Sequence, residues 1–243
     1  MYERIKNVFR IIHNSKQWQK ENYNQLKELE WAHIYHDSIR GKKWLEEMPL
    51  NVGRWAGNYA FFYILNRVLT QHKPKSIIEF GLGESSKFIS VFIENYLKNS
   101  KHLIIEHSQE WANAFKADFN LSVNSKIRVH NLVKRQVKGV EINAYSNLEE
   151  IAGQKFDLYI IDGPFVSKNF SRYDILDLAK KLTSNDDFII IFDDYQRHGE
   201  QQTVKDLLEL FRQNNIIVYE AIYSGNKSLA VLATAKYKYA TSY

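Results

Sequence analysis

From Pro74 onward, short apolar runs rich in Ile and Val alternate with amphipathic stretches. The runs are Ser76–Phe80, His102–Glu106, Ile127–Val133, Phe156–Ile161 and Phe188–Phe192, with Ile216–Ile222 and Ser228–Ala235 closing the chain around Gly225. Helical spacing is expected over Ser85–Asn99, Gln109–Phe119, Tyr173–Leu182 and Gln201–Gln213, the last with Val204, Leu207, Leu208 and Phe211 in phase. Runs that are continuously apolar predict strands buried on both faces. Their alternation with helices predicts a parallel sheet with right-handed crossovers. The last two runs have no helix between them and predict a hairpin, which puts one antiparallel strand into the sheet. The expected fold is α/β: an open, doubly wound, mostly parallel sheet of seven strands.

Before Pro74 the pattern is helix and loop. Phe61, Ile64, Leu65, Val68 and Leu69 share one helical face over residues 57–70, and Pro49, Gly53 and Gly57 mark an irregular stretch leading into it. The expected division is a helical extension over residues 1–72, serving as a substrate-side cap, and a ligand-binding α/β domain over residues 73–243. Residues 1–12 predict a basic amphipathic helix with Ile5, Val8, Phe9 and Ile12 on one face. Packing of that face onto the body is the expected use, with a membrane surface as the alternative.

Composition changes this picture little. The 243 residues carry 33 Lys and Arg against 28 Asp and Glu, a net charge of +5, with 44% hydrophobic residues, which excludes disorder as the main state. There is no Cys, so disulfides, thiolate metal sites and a Cys nucleophile are excluded. Charges at Glu3, Arg4, Lys6 and Arg10 interrupt any signal-peptide core, and no stretch approaches the roughly 20 apolar residues of a membrane span. A cytoplasmic, soluble protein is expected. The basic residues are scattered among acids without a stripe, which argues against nucleic acid as the partner.

In doubly wound sheets, ligands sit beyond the carboxyl ends of the strands. The first strand end reads Glu79-Phe80-Gly81-Leu82-Gly83-Glu84-Ser85-Ser86, between a strand and a helix. Gly81 and Gly83 allow a tight turn with close backbone approach, and Ser85 and Ser86 can cap the helix. Glu106 ends the next strand, where an acid can accept hydrogen bonds from both ribose hydroxyls. A dinucleotide would place its pyrophosphate at this helix start, where Glu84 repels it and Ser86 replaces the third glycine. The loop suits a nucleoside cofactor with a positive centre and no phosphate, as in S-adenosylmethionine. Here the chain resembles the class I S-adenosylmethionine-dependent methyltransferases, which have a Rossmann-like fold. Glu79-x-Gly81-x-Gly83 resembles their first motif, Ile105-Glu106 their ribose acid, and Phe156-Asp157 through Asp162 their strand-four motif, over residues 72–235. The resemblance implies that Gly81 and Gly83 approach the methionine moiety, Glu106 holds the ribose and His107 borders the adenine, with Glu79, Glu84, Ser85, Ser86 and Asp162 completing the cofactor site. The family's usual acid after the third strand is missing. His130-Asn131-Leu132 stands there, which leaves the adenine contact unassigned.

Asp162 ends the fourth strand, and Asp193 and Asp194 end the fifth. If these strands are neighbours, three carboxylates converge and call for a cation. Mg²⁺ or another divalent ion takes oxygen ligands. The set resembles the metal-dependent O-methyltransferases and the cephalosporin hydroxylase/rhamnosyl O-methyltransferase-like group, which implies Asp162, Asp193 and Asp194 as metal ligands. A metal-bound substrate hydroxyl would then be aimed at the methyl group. Turn-setting for Asp162 and helix capping for Asp194 are the plainer roles. Of the polar residues nearby, His198 is the candidate general base and Asp162 the second catalytic candidate. Lys168, Arg172 and Tyr173 can bind an anionic or sugar substrate, although exposed loop positions are their default. In the extension, Trp44, Arg54, Trp55, Asn58 and Tyr59 suit stacking on a ring, with ordinary packing the expected role of Trp55. The resulting expectation is O-methylation of a small-molecule or glycan acceptor. A non-catalytic interaction protein with a degenerate fold of this type, an NAD-linked oxidoreductase and an RNA methyltransferase remain alternatives. A homo-oligomer is compatible with the pattern.

Overall fold

The computed structural model describes the chain from Tyr2 to Tyr243, with side chains described at positions 6, 7 and 10–243. The extension forms α1 (Tyr2–Ile39), α2 (Lys43–Glu46) and α3 (Tyr59–His72). The strands of the main sheet are β1 (Ser76–Phe80), β2 (Lys101–Glu106), β3 (Ser125–Val129), β6 (Leu158–Ile161), β7 (Ile189–Phe192), β8 (Val218–Ser224) and β9 (Ser228–Thr234). A separate hairpin is made by β4 (Leu132–Val137) and β5 (Val140–Tyr145). The crossovers carry α4 (Glu84–Asn95), α5 (Gln109–Asp118), α6 (Glu149–Ala152), α7 (Ile175–Ala179) and α8 (His198–Gln213).

The seven-stranded sheet runs in the order β3-β2-β1-β6-β7-β9-β8. Pairing is parallel from β3 to β7, and β9 is antiparallel to both β7 and β8. This is the mostly parallel sheet with a C-terminal antiparallel hairpin that the runs predict. Strand order reverses between β1 and β6, so the carboxyl ends of these two strands open a crevice.

Successive residues of each central strand enter opposite cores. Ile77, Leu158, Ile160, Ile189 and Ile191 pack with Phe61, Phe62, Ile64 and Leu65 of α3 and with Phe88 and Phe92 of α4. Ile78, Phe80, Tyr159, Ile161, Ile190 and Phe192 pack with α7 and α8 on the other side. Both faces exclude water, which is why the runs read as continuous rather than alternating. α3 is capped by Asn58, whose Oδ1 accepts from the Phe61 N–H at 3.1 Å.

Three elements differ from the expectations. The run Ile127–Val133 is not one strand: β3 ends at Val129, and β4 begins at Leu132 as half of a new hairpin. Its Lys138-Gly139 turn takes positive φ at both residues, 49° and 79°, which suits a two-residue connection between antiparallel strands. The helix expected over Tyr173–Leu182 shrinks to Ile175–Ala179, because Phe170 and Arg172 adopt left-handed φ values of 46° and 58° and hold the preceding chain in turns. The N-terminal helix is far longer than twelve residues and runs to Ile39. The side chains of Ile5, Val8 and Phe9 lie outside the described residues. Ile12 is exposed, so its side chain is not packed onto the body. Among the described residues, no helix is long and apolar enough to cross a membrane.

Candidate active site

The glycine turn is shaped first by the protein itself. Gly81 has φ +99°, and a Cβ there would lie 3.2 Å from the Gly163 N and 3.3 Å from the Asp162 carbonyl carbon. Close approach of the β1 and β6 ends therefore demands glycine at this position. Gly83 differs, since a Cβ there meets nothing within 4 Å and the loop is open on that side. The Gly163–Pro164 peptide is cis.

Behind this turn, Glu79 is fully buried. Ser86 Oγ donates to its Oε2 at 2.8 Å, Ser85 Oγ donates to its Oε1, and His102 Nε2 lies 3.0 Å from Oε2. Ser86 Oγ also accepts from the Gly83 N–H at 3.1 Å. Glu79, Ser85 and Ser86 thus brace the turn from below. Glu84, at the first position of α4, accepts from the Asn51 N–H at 3.1 Å and pairs with Lys87 at 2.7 Å. It joins the glycine turn to the extension.

Two adjoining clefts open above the turn, about 660 and 540 Å³ in volume. Leu82, Trp111, Asp162, Arg54 and Trp55 border both. Glu106 lies in the larger one, with Oε1 accepting from the His107 and Ser108 N–H groups at 2.7 and 2.8 Å and Oε2 accepting from the Leu82 N–H at 3.0 Å. A carboxylate held by three backbone donors is rigid, and Oε2, with a single donor, retains accepting capacity. His107, Trp111, Tyr145 and Phe165 form apolar walls, with the His107 and Phe165 rings 4.3 Å apart. Trp111 Nε1 donates to the Leu82 carbonyl at 2.8 Å and locks one wall to the glycine turn. His130 Nδ1 lies 2.8 Å from the Ser146 carbonyl, and neither His130 nor Asn131 borders the clefts.

The acidic strand ends do converge. Ligand oxygens of Asp162, Asp193 and Asp194 lie within 4.8 Å of one another, a spacing compatible with a metal ion. Arg172, however, inserts among them. Its Nη2 is 3.0 Å from Asp162 Oδ1 and 2.9 Å from Asp194 Oδ2, and its Nη1 donates to the Asp193 carbonyl at 2.9 Å. Lys227 Nζ, from the β8–β9 turn, is 3.4 Å from Asp194 Oδ1 and 3.7 Å from Asp193 Oδ2, and Arg197 Nη1 is 2.9 Å from Asp194 Oδ2. A dication about 4 Å from one fixed cation is repelled by about 8 kcal/mol at an effective dielectric of about 20. Arg172, Lys227 and Arg197 thus already stand among the carboxylates where a divalent ion would have to bind.

Titration follows burial and these pairs. Burial pushes Asp162 up to about 8 against the pull of Arg172, with Asp193 and Asp194 adding to the rise. Burial also raises Asp193 against Lys227, and neither of its carboxylate oxygens has a hydrogen-bond partner. Glu200, wholly buried below the cluster, is raised in the same way. Burial of Asp194 is outweighed by Arg172, Lys227 and Arg197, and its carboxyl falls below the usual range.

The structure therefore brings Gly81, Gly83, Glu84, Glu106, His107, Asp162 and Asp194 to one place. His198 is not brought there: it is exposed at the start of α8 and borders neither cleft, since Arg197 turns inward in its stead. Lys168 is exposed, and Tyr173 donates to Asp206 at 2.9 Å away from the clefts. Trp44 packs edge-on against Phe92, and Asn58 and Tyr59 begin α3. Trp55 is 94% exposed at the cleft mouth rather than packed. Sequence reasoning missed Lys227 and Tyr145 and underrated Arg172, which is only 3% exposed. The Lys138-Gly139 turn flanked by Val137 and Val140 was the signal for the hairpin that delivers Tyr145.

No protein-family model matches the chain, and no curated protein matches it in sequence. Solved structures do match. One, from Klebsiella pneumoniae and assigned as an O-methyltransferase, is 14% identical over 90% of this chain and 98% of its own, with a TM-score of 0.50. The O-methyltransferase from Bacillus cereus, solved in complex with S-adenosylhomocysteine, is 15% identical over 83% of this chain and 90% of its own, with a TM-score of 0.52. The chain shares the Rossmann-like fold of these two structures.

Proposed function

We propose that this chain is an S-adenosylmethionine-dependent methyltransferase acting on a hydroxyl oxygen of a small molecule or glycan. The observation that carries the reading is the meeting, in one cleft, of Glu106 on its three backbone donors with Asp162 at the end of β6. Glu106 would hold the ribose through Oε2, the walls Trp111, Tyr145 and Phe165 would take the adenine, and Gly83 leaves room for the methionine moiety. When bound, the cofactor supplies an electrophilic methyl on a sulfonium. Asp162 would accept the acceptor's hydroxyl proton, and Arg172, 3.0 Å away, would steady the carboxyl through that change. The 51–57 loop would cap the acceptor side, tied down by Lys227 Nζ donating to the Ala56 carbonyl at 2.9 Å. Trp55 at the mouth supports a ring-bearing acceptor, sugar or aromatic.

Calorimetry with S-adenosylhomocysteine tests the cofactor. Micromolar binding is expected, and Glu106→Ala, which orphans three N–H donors and removes the ribose contact, weakens it by about 10²-fold or more. Failure of the wild-type protein to bind would end the reading. No divalent cation enters the mechanism, so turnover after exhaustive EDTA dialysis should equal turnover with added Mg²⁺. An activity that is lost and then restored by Mg²⁺ would show that a metal displaces the Arg172 and Lys227 cations.

A further inference from the structure

Between residues 10 and 21 the side chains of α1 touch little of the protein. Residues 10–21 are exposed throughout, and the helix is anchored only further along. Glu28 accepts from the Tyr59 N–H at 2.8 Å, Trp31 Nε1 donates to the Ser224 carbonyl at 3.0 Å, and Tyr35 and Ile39 are buried. At about 100° per residue, these anchors define one face of the helix. Ile11, Ile12, Trp18, Tyr23, Leu26 and Leu29 lie on a different arc, about 140° wide, turned away from that face. All six are between 46% and 66% exposed. The body to which the helix is attached cannot cover them, and a polar-and-apolar helix standing alone in water is marginal.

The charges are arranged around this arc. From residue 11 to residue 29 the arc carries no charge, its other members being Ser15, Gln19 and Asn22, and the exposed Glu30 closes it at its carboxyl-terminal end. Lys16, Lys20 and Lys27 form a row along one edge of it, next to Tyr23. Glu21 and Glu28 lie on the far side, toward the anchoring face. Long lysine stems can lie along an apolar surface while their ammonium groups reach outward. Trp and Tyr suit a boundary that is apolar on one side and wet on the other.

We propose that α1 is a docking arm for an anionic lipid bilayer, lying in the interface with this arc inserted and its lysine row among the headgroups. Apolar insertion and attraction of flanking lysines to acidic lipid act together in such helices. The anchoring face then points away from the bilayer, and the α/β domain stands off the membrane on the solvent side. This proposal rests on α1 alone and holds whether or not the cleft binds S-adenosylmethionine.

The test is sedimentation of the full chain with large vesicles of phosphatidylcholine, with and without about 30% phosphatidylglycerol. The protein should pellet with the anionic vesicles, more strongly at low salt than at high salt. A Trp18→Glu/Leu26→Glu variant should lose at least about tenfold of the bound fraction. Lys16→Glu/Lys20→Glu/Lys27→Glu should abolish the preference for phosphatidylglycerol. These side chains are not buried, so the thermal midpoint of each variant should match the wild type. The proposal is overturned if the wild-type chain ignores both vesicle types, or if Trp18→Glu/Leu26→Glu pellets as well as the wild type. It is also overturned if sedimentation velocity without lipid shows a dimer that this substitution abolishes, for the arc then belongs to a second copy of the chain.

Discussion

Asp162→Asn is expected to lower turnover by about 10²- to 10⁴-fold, the usual loss on removing a general base. Affinity for S-adenosylhomocysteine should stay within a few-fold. The side chain keeps its volume and an oxygen for Arg172, and the Asp162 backbone N–H still donates to the Phe80 carbonyl at 3.0 Å. What disappears is a carboxyl that borders both clefts and that burial pushes up to about 8. Because the ionised form must accept the proton, kcat/KM of the wild-type protein should rise with pH and level off above about 8. In Asp162→Asn that rise should vanish. A variant with full turnover and an unchanged pH profile would remove Asp162 from the chemistry while leaving the cofactor reading intact.

Arg172→Met is expected to be the most destabilising single change at the site. It removes the guanidinium shared by Asp162 and Asp194 and lying 3.8 Å from Glu200. Stripping one partner from a buried charge cluster costs about 3–5 kcal/mol. That is a large share of the 5–15 kcal/mol that typically separates folded from unfolded chains. The deficit should depend on pH. Burial raises Asp162, Asp193 and Glu200, so the folded protein binds more protons than the unfolded one. Stability from such groups is fully present below their ordinary pKa and is lost as pH rises through the folded value. Without Arg172 those values climb further, so the deficit should be smaller near pH 5 and larger near pH 8. Urea unfolding of both proteins at the two pH values measures it. Equal deficits at both would show that packing, not charge, is what Arg172 contributes.

The central strands were legible because each is apolar on both faces. The edges were not. β3 and β4 are half exposed and carry Lys126, Arg128, Lys134, Arg135 and Gln136, so a period of two is masked by short length and charge. The hairpin that brings Tyr145 to the cleft was missed for that reason. Trp55 shows the opposite failure: its residue type argues for burial, yet the turn closed by the Gly53 N–H to the Gly57 carbonyl at 2.9 Å holds it out at 94% exposure. His198 and Arg197 are neighbours in sequence, and only the direction of the chain leaving Asp194, at φ 56°, decides which one faces the acids.

By itself, the sequence determined the alternation of strand and helix, the antiparallel closing hairpin and the residues at the strand ends, since hydrophobic period and turn chemistry act between near neighbours. Tertiary structure decided what those strand ends can do. Three aspartates read along the chain call for an outside cation. In space they find Arg172 and Lys227, which reach them from a left-handed turn before α7 and from the β8–β9 turn. Charges interact through distance rather than through sequence position, and a low-dielectric site makes those few ångströms decisive. The same holds for α1: its Ile, Trp, Tyr and Leu side chains are scattered among polar ones, and only the placement of Glu28, Trp31 and Tyr35 against the body turned them outward.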